Sequence, residues 1–470
     1  MATISSPGIG SGLDVSSIIT QLMAIERQPI KQLETAETKL QSQISEMGKI
    51  KSALSKFRDL STRLGATDFW RQSTGSSTST AVGVTTGSGA MPGSYSVEVQ
   101  GLASAQSIST GVFASSTTAL NAGTLRIEMG TWNAGKTLLA PNATLPAVDI
   151  TIEATDTLAS VRDKINAAGG GVTASILNDA GGARLLMRST STGEANGFRT
   201  TVTGGGALDG LAYDPSAGIN SPNPVQDAAN AAATINGVPV SSATNSMANV
   251  LDGVSLNLTA ETVSPVIVSV VNDTAAMKKT MEEFATAYSD LARQIAADTR
   301  YDAASKKAGL LQGDSAITGL QSRLRSMIGA TSGASTAFPR LSDAGFELQQ
   351  DGTLKVNSSR LDNALANLPQ LRLMFANSST TDPTMDGFAK RFRTVAGDAL
   401  GTDGVLTTRT DGLNERLTRN QKNQDRLEER LVQTQKRLER QYTQLDTQLG
   451  TLNGLSSFVT QQVAQWSKSS

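Results

Sequence analysis

The sequence predicts an α+β multidomain protein in which helices from the two ends of the chain pair as a coiled-coil or helical-bundle leg and mainly-β head domains are inserted between them. Three observations predict it. From Asp411 to Trp466 there is no proline, and every seventh residue through Leu417, Leu431, Leu438, Leu445, Leu452, Val459 and Trp466 is apolar, with Gln424 the one polar station. Residues 30–65 carry a second heptad line, Leu33, Leu40, Met47 and Leu54. Between these segments the apolar period falls from seven to two, the alternation of half-buried strands.

Composition narrows the function. With 470 residues, 38% hydrophobic and only 4% aromatic, the chain predicts several thin cores rather than one large one. A net charge of −1 gives no field drawing it to nucleic acid or an anionic membrane. The absence of Cys and His removes disulfides, Cys/His zinc sites, Cys nucleophiles and His bases. No carboxylate pair stands out among the 42 Asp and Glu. The expectation is a non-enzyme with no catalytic, cofactor-binding or metal residues, no nucleic-acid partner and no membrane insertion. The first 25 residues lack the basic start and apolar run of a secretory signal, and nowhere are there the roughly 18 uninterrupted apolar residues of a membrane span.

In chain order, a Gly/Ser/Pro opening gives way to an amphipathic segment, Val15, Ile18, Ile19, Leu22 and Ile25, capped by Asp14 or Ser16 and ended or kinked by Pro29. The helix over 30–65 follows, with Ala36, Ile44, Ile50 and Phe57 alongside its heptad line. From Arg71 a Ser/Thr/Gly stretch reads as a linker. Strands follow, with Tyr95, Val97 and Val99 on one face, then Leu125, Ile127 and Met129, then Val148, Ile150 and Ile152. Asn236-Gly237 and Asp252-Gly253 predict type I′ hairpins. Residues 154–163 align without a gap against 243–252, which predicts two related β lobes, each with a capped helical turn before a strand, joined through the Gly/Pro/Asn-rich run 204–224.

Helical period returns after Asp273, read as a cap, with Met277, Met281, Phe284, Tyr288, Leu291 and Ile295, and again after Asp314 with Ile317, Leu320, Leu324, Met327 and Ile328. A hairpin about Asp351-Gly352 precedes Leu361, Leu365 and Leu368 on a helix that Pro369 should stop, and Phe388, Phe392 and Val395 mark one more helix. The expected inner bundle is Leu40, Met47, Leu54, Met281, Phe284, Tyr288, Leu417 and Leu431. The polar stations Asn420, Gln424, Thr434 and Ser456, with Gly450 and Gly454, make the leg too weak to fold alone. Ile18, Ile19, Leu22 and Ile25, with Leu438, Leu445, Leu452, Phe458, Val459 and Trp466, are therefore expected to contact other subunits.

Five stretches carry a resemblance: GIGSGLDVSSIITQLMAIERQPIKQLE at the start, VSVVNDTAAMKKTMEEFATAYSDL, LLQGDSAITGLQSRLRSMIG, LSDAGFELQQDGTLKVNSSRLDNAL, and RLERQYTQLDTQLGTLNGLSSFVTQQV near the end. In this order they resemble the bacterial flagellar filament cap family, hook-associated protein 2. The ATINGVPV hairpin and the helical turn after it resemble a motif shared by β domains of hook-associated proteins and some flagellins. The resemblance implies a terminal leg from 1–40 and 430–470, disordered in the free monomer. It implies a helical bundle from 41–72 and 273–429, a β domain from 73–115 and 205–272, and an inserted head from 116–204. It further implies export without a cleavable signal peptide to the tip of the flagellum, and a ring-shaped homo-oligomer of about five subunits. Its partners would be flagellin, the hook-filament junction protein and an export chaperone at the C-terminal region. Two other classes stay open at this point: a surface adhesin gripping host glycans, for which only Tyr95, Trp132 and Tyr213 offer aromatic platforms, and a junction or flagellin-like filament subunit.

Overall fold

The structure, a computed structural model, describes residues 14–220, 223–303 and 306–467. The Gly/Ser/Pro opening therefore lies outside the described residues, as does the side chain of Trp466. Nine helices are found among the described residues: α1 (Val15–Glu26), α2 (Gln28–Leu64), α3 (Leu158–Ala168), α4 (Thr274–Thr299), α5 (Ser315–Ile328), α6 (Ser358–Leu365), α7 (Leu368–Ala376), α8 (Phe388–Leu400) and α9 (Val405–Trp466). The chain divides into two compact units, one made of Met1–Trp70 with Ala275–Ser470 and the other of Arg71–Thr274.

The first unit is helical around one core. Phe57 of α2 stacks on Phe284 of α4 at 5.0 Å between ring centres and meets Phe392 of α8 edge-on at 5.2 Å. Such offset and edge-on pairs add about 0.5–1.5 kcal/mol each beyond the area they bury. Leu40, Met47, Leu54, Met281, Phe284 and Tyr288 all lie in this core. Burial pushes the Tyr288 hydroxyl up to about 12. Leu417 packs half-buried against the same core, whereas Leu431 is buried farther along α9, outside it. Because α2 beyond Met47 and α9 before Leu417 share the core, while α2 near its start lies beside later turns of α9, the two helices run antiparallel.

Two boundaries differ from expectation. Pro369 does not stop a helix; it sits in the first turn of α7, where its missing N–H costs nothing, so Leu368 belongs to α7 and not to the helix of Leu361 and Leu365. α9 begins at Val405, six residues ahead of Asp411, after Gly404, where a Cβ would come within 2.5 Å of two backbone carbonyl oxygens of α8, those of Asp398 and Ala399.

The second unit holds two β cores. In the first, an antiparallel sheet in the order Ser73–Ser77, Val266–Asn272, Gly93–Gly101, Ala231–Ile235, Val238–Ser242 packs with the three strands Ser246–Leu251, Val254–Leu258 and Val82–Thr86 around Val97, Val99, Leu256 and Val268. The stretch expected to be a linker thus supplies two strands. One of its glycines sits where no side chain fits: a Cβ at Gly75 would lie 2.4 Å from Val84 Cγ1. In the second core, two four-stranded sheets and α3 enclose Leu125, Ile127, Met129, Ile150 and Ile152. Ile108, Leu208, Leu211 and Tyr213 share that core, which therefore reaches beyond the 116–204 expected for the inserted head.

Asn236 and Gly237 both take positive φ, 50° and 82°, as a type I′ turn requires, whereas at Asp252-Gly253 only Gly253 does, so that turn is not type I′. The sequence repeat is not a structural one. Thr157 and Ser160 form a capping box that starts α3, but the second copy is the bulged strand Ser246–Leu251. The tenth position explains it: Asp163 leads into Lys164, Ile165 and Asn166, which continue α3, while Asp252 leads into Gly253, which turns the chain back so that Met247 pairs with Leu256.

Candidate functional site

α9 is built in two halves. Its first half buries Leu406 and Leu413 completely and Leu431 almost so. Arg409 near its start is held by Asp314, the cap of α5, with Nε 2.6 Å from Oδ2. In its second half the heptad continues but the cover thins. Leu438 is half-buried, while Leu445, Leu452, Leu455, Phe458, Val459 and Val463 are each between 42% and 59% exposed.

α1 covers part of this half. Asp14 caps it by accepting a hydrogen bond from the Ser17 N–H at 2.9 Å, and it packs along α9. Val15 and Ile19 are buried, Ile18 is half-buried, Leu22 is at the margin and Ile25 is 64% exposed. Of the four α1 residues expected to contact other subunits, Ile19 is therefore spent within the chain, and Ile25 presents the most surface. Leu455 escapes the heptad pattern because it lies off the line; three residues before Phe458, it extends the apolar stripe. Burying the remaining surface of these side chains would contribute about 1 kcal/mol each.

Within the first half lies a feature that the heptad line does not pick out. Glu37 of α2 occupies a seam station between Leu33 and Leu40, and its carboxylate accepts hydrogen bonds from Gln421 Nε2 at 2.8 Å, Gln424 Nε2 at 2.6 Å and Gln41 Nε2 at 3.2 Å. Gln424 also donates to Asn420 Oδ1 at 2.6 Å. The bonds from Gln421 and Gln424 hold the Glu37 carboxyl below its ordinary range. Its signal in the sequence is a carboxylate interrupting the run 33, 40, 44, 47.

Among the described residues no group of three or more carboxylates is placed to hold a metal, and no helix is long and apolar enough to cross a membrane. The aromatic platform of a glycan-binding head does not form. Tyr213 is buried, Trp132 meets it edge-on at 6.4 Å and donates its indole N–H to Gln106, and Tyr95 packs against the first β core.

Comparison with known proteins decides the family. Models described as the flagellar hook-associated protein 2 N-terminus and C-terminus match residues 11–106 and 228–454. The flagellar hook-associated protein 2 of Escherichia coli K12 is 30% identical over 98% of both chains. The chain belongs to the flagellar hook-associated protein 2 family. Another member, from Salmonella typhimurium, is 29% identical over the full length of both chains, and the A-type protein of Pseudomonas aeruginosa is 29% identical over 97% of this chain and 96% of its own. The crystal structure of the D1-D2-D3 domains of the Escherichia coli flagellar cap protein FliD matches with a TM-score of 0.62 at 28% identity, covering 78% of this chain and 99% of that one. As a hook-associated protein 2, the chain is a structural protein of the filament cap at the flagellum tip and not an enzyme. The flagellin hook IN motif matches residues 134–191, which contain the first repeat copy and α3, and not the ATINGVPV hairpin where the motif was expected.

Proposed function

We propose that the protein caps the distal end of the filament as a ring-shaped homo-oligomer of about five subunits, held and seated through the outer half of its leg. There it retains exported flagellin and promotes its polymerisation above the hook-filament junction protein. The observation that carries this reading is the apolar stripe of α9, whose second half exposes Leu445, Leu452, Leu455, Phe458, Val459 and Val463. A stripe of this kind is stable only against other helices. The leg, 1–40 with 430–470, is the assembling part; the bundle, 41–72 with 273–429, and the β domains over 73–272 carry it. Export proceeds without a cleavable signal, and the same apolar stripe near the C-terminus receives the export chaperone before assembly.

The test is mass by light scattering over a concentration series, on the full chain and on the chain without 1–40 and 430–470. A small discrete oligomer that disappears on truncation is the expected result. A ring that survives truncation would move the contacts to the bundle or the β domains. A monomer at every concentration, with filaments that still grow normally when Leu445→Asp and Leu452→Asp are introduced together, would overturn the proposal.

A further inference from the structure

We infer that the polar layer around Glu37 is a register lock: it fixes which turn of α9 lies beside which turn of α2, and is not there to hold the two helices together. Three observations converge. The layer lies inside the seam, since Asn420 is 8% exposed and has apolar neighbours on both sides, Leu413 and Leu417 toward the core and Ile30 and Leu431 away from it. Its donors come from both helices and converge on one carboxylate: Gln41 and Gln421 on Oε1, Gln424 on Oε2. And the helices are not close-packed beside it, because a groove of about 430 Å³ opens there between Lys39, Leu40 and Gln43 of α2 and Arg416, Arg419 and Asn423 of α9.

A layer that leaves a groove gains little from burial, so stability is a poor reason for these residues. Register is a good one. Elsewhere the seam repeats Leu and Ile at sevens, and a slip of one heptad, about 10 Å along the axis, would set apolar residues against apolar residues again. Along the seam outside the bundle core, the polar layer is what makes the slipped pairing costly, since the slip would place Glu37 against apolar α9 stations and leave Gln421 and Gln424 without their acceptor. A single polar station in an apolar seam is a well-attested way to specify pairing. Here it lets the outer α9 stripe stay sticky toward foreign helices without the chain's own helices sliding to cover it.

The chain has no cysteine, so Glu34→Cys and Glu428→Cys, both at exposed sites, can carry nitroxide labels without background. The distance distribution is measured by pulsed electron spin resonance on full-length labelled chain diluted into unlabelled chain, which suppresses distances between subunits. The native protein is expected to give one narrow distance. Replacing the layer by Glu37→Leu, Asn420→Leu and Gln424→Leu together should keep the helix content seen by circular dichroism and add a second population displaced by about one heptad, about 10 Å along the axis. Asn420→Leu alone, a milder change should the triple variant fold poorly, should give the same second distance at lower occupancy. A single unshifted distance in the folded triple variant, or in Asn420→Leu where only that variant folds, would overturn the inference.

Discussion

The two halves of α9 share one pattern and meet opposite fates. Leu413 and Leu452 both occupy helix positions of the apolar stripe, yet Leu413 is fully buried and Leu452 is 59% exposed. What differs is the neighbourhood. The first half has α2, α5 and α8 beside it and shares the ring cluster of Phe57, Phe284 and Phe392; the second has α1 for part of its length and, beyond that, no cover among the described residues. A heptad is therefore a statement of appetite for apolar surface, satisfied within the chain at one end and left unsatisfied among the described residues at the other.

The sharpest way to break this contrast is to damage each half and read stability and assembly separately. Phe284→Ala removes a fully buried ring that contacts Phe57, Phe346, Phe375 and Phe392, and should lower unfolding stability by about 3–5 kcal/mol in a chemical-denaturation curve of the full chain. Leu452→Asp changes an exposed side chain, so the same curve should move by no more than about 0.5 kcal/mol. Light scattering should nonetheless show the oligomer shifted to higher protein concentration. If Leu452→Asp unfolded the bundle, the halves would not be energetically separate. Between these extremes, Gly454→Ala adds a methyl where no atom lies within 4 Å and should stabilise the outer helix by about 1 kcal/mol, seen as increased helical circular dichroism.

The same contrast explains how much of the molecule was legible. Helices whose apolar residues step at 4, 3, 4, such as Met277 to Ile295 in α4, could be read because the pattern that marks a helix is also the pattern of its burial. The strands at Ser73–Ser77 and Val82–Thr86 could not, since their small polar residues look like a linker until a distant strand, such as Val266–Asn272, supplies the pairing. The repeat misled for a similar reason: local sequence of one kind became a helix before Lys164 and a strand before Gly253. At the leg, the stations themselves were legible, but which of them the chain keeps for itself was not. Ile19 and Leu22 are three residues apart on one helix, and only the placement of α1 on α9 buries the first and leaves the second at the margin. Glu37 lies off the heptad line that the sequence shows, and its meaning needed the three amides that reach it.

Two carboxylates give the smallest and most discriminating test, because their pKa values shift in opposite directions, one in the α2–α9 seam and one at the end of α4. Hydrogen bonds from Gln421 and Gln424 lower the pKa of Glu37, so its contribution is present above the ordinary glutamate range and is lost as pH falls through its folded pKa. Burial raises the pKa of Asp298 near the end of α4, with Glu46 acting in the same direction and Gln294 and Lys49 against it. A raised carboxyl pKa penalises the folded state as pH climbs from the ordinary aspartate range through the folded value, and the penalty stays above it. Asp298→Asn should therefore raise the denaturation midpoint at pH 7 and lose that advantage near pH 3, while Gln294 can still donate to the new amide oxygen. Glu37→Gln should do the reverse for the leg, lowering its helicity at pH 7 and matching the native protein in acid. Parallel pH slopes for the two variants would mean that the polar layer and the bundle respond as one body; opposite slopes mean that acid loosens the outer leg while it relieves a strain in the core.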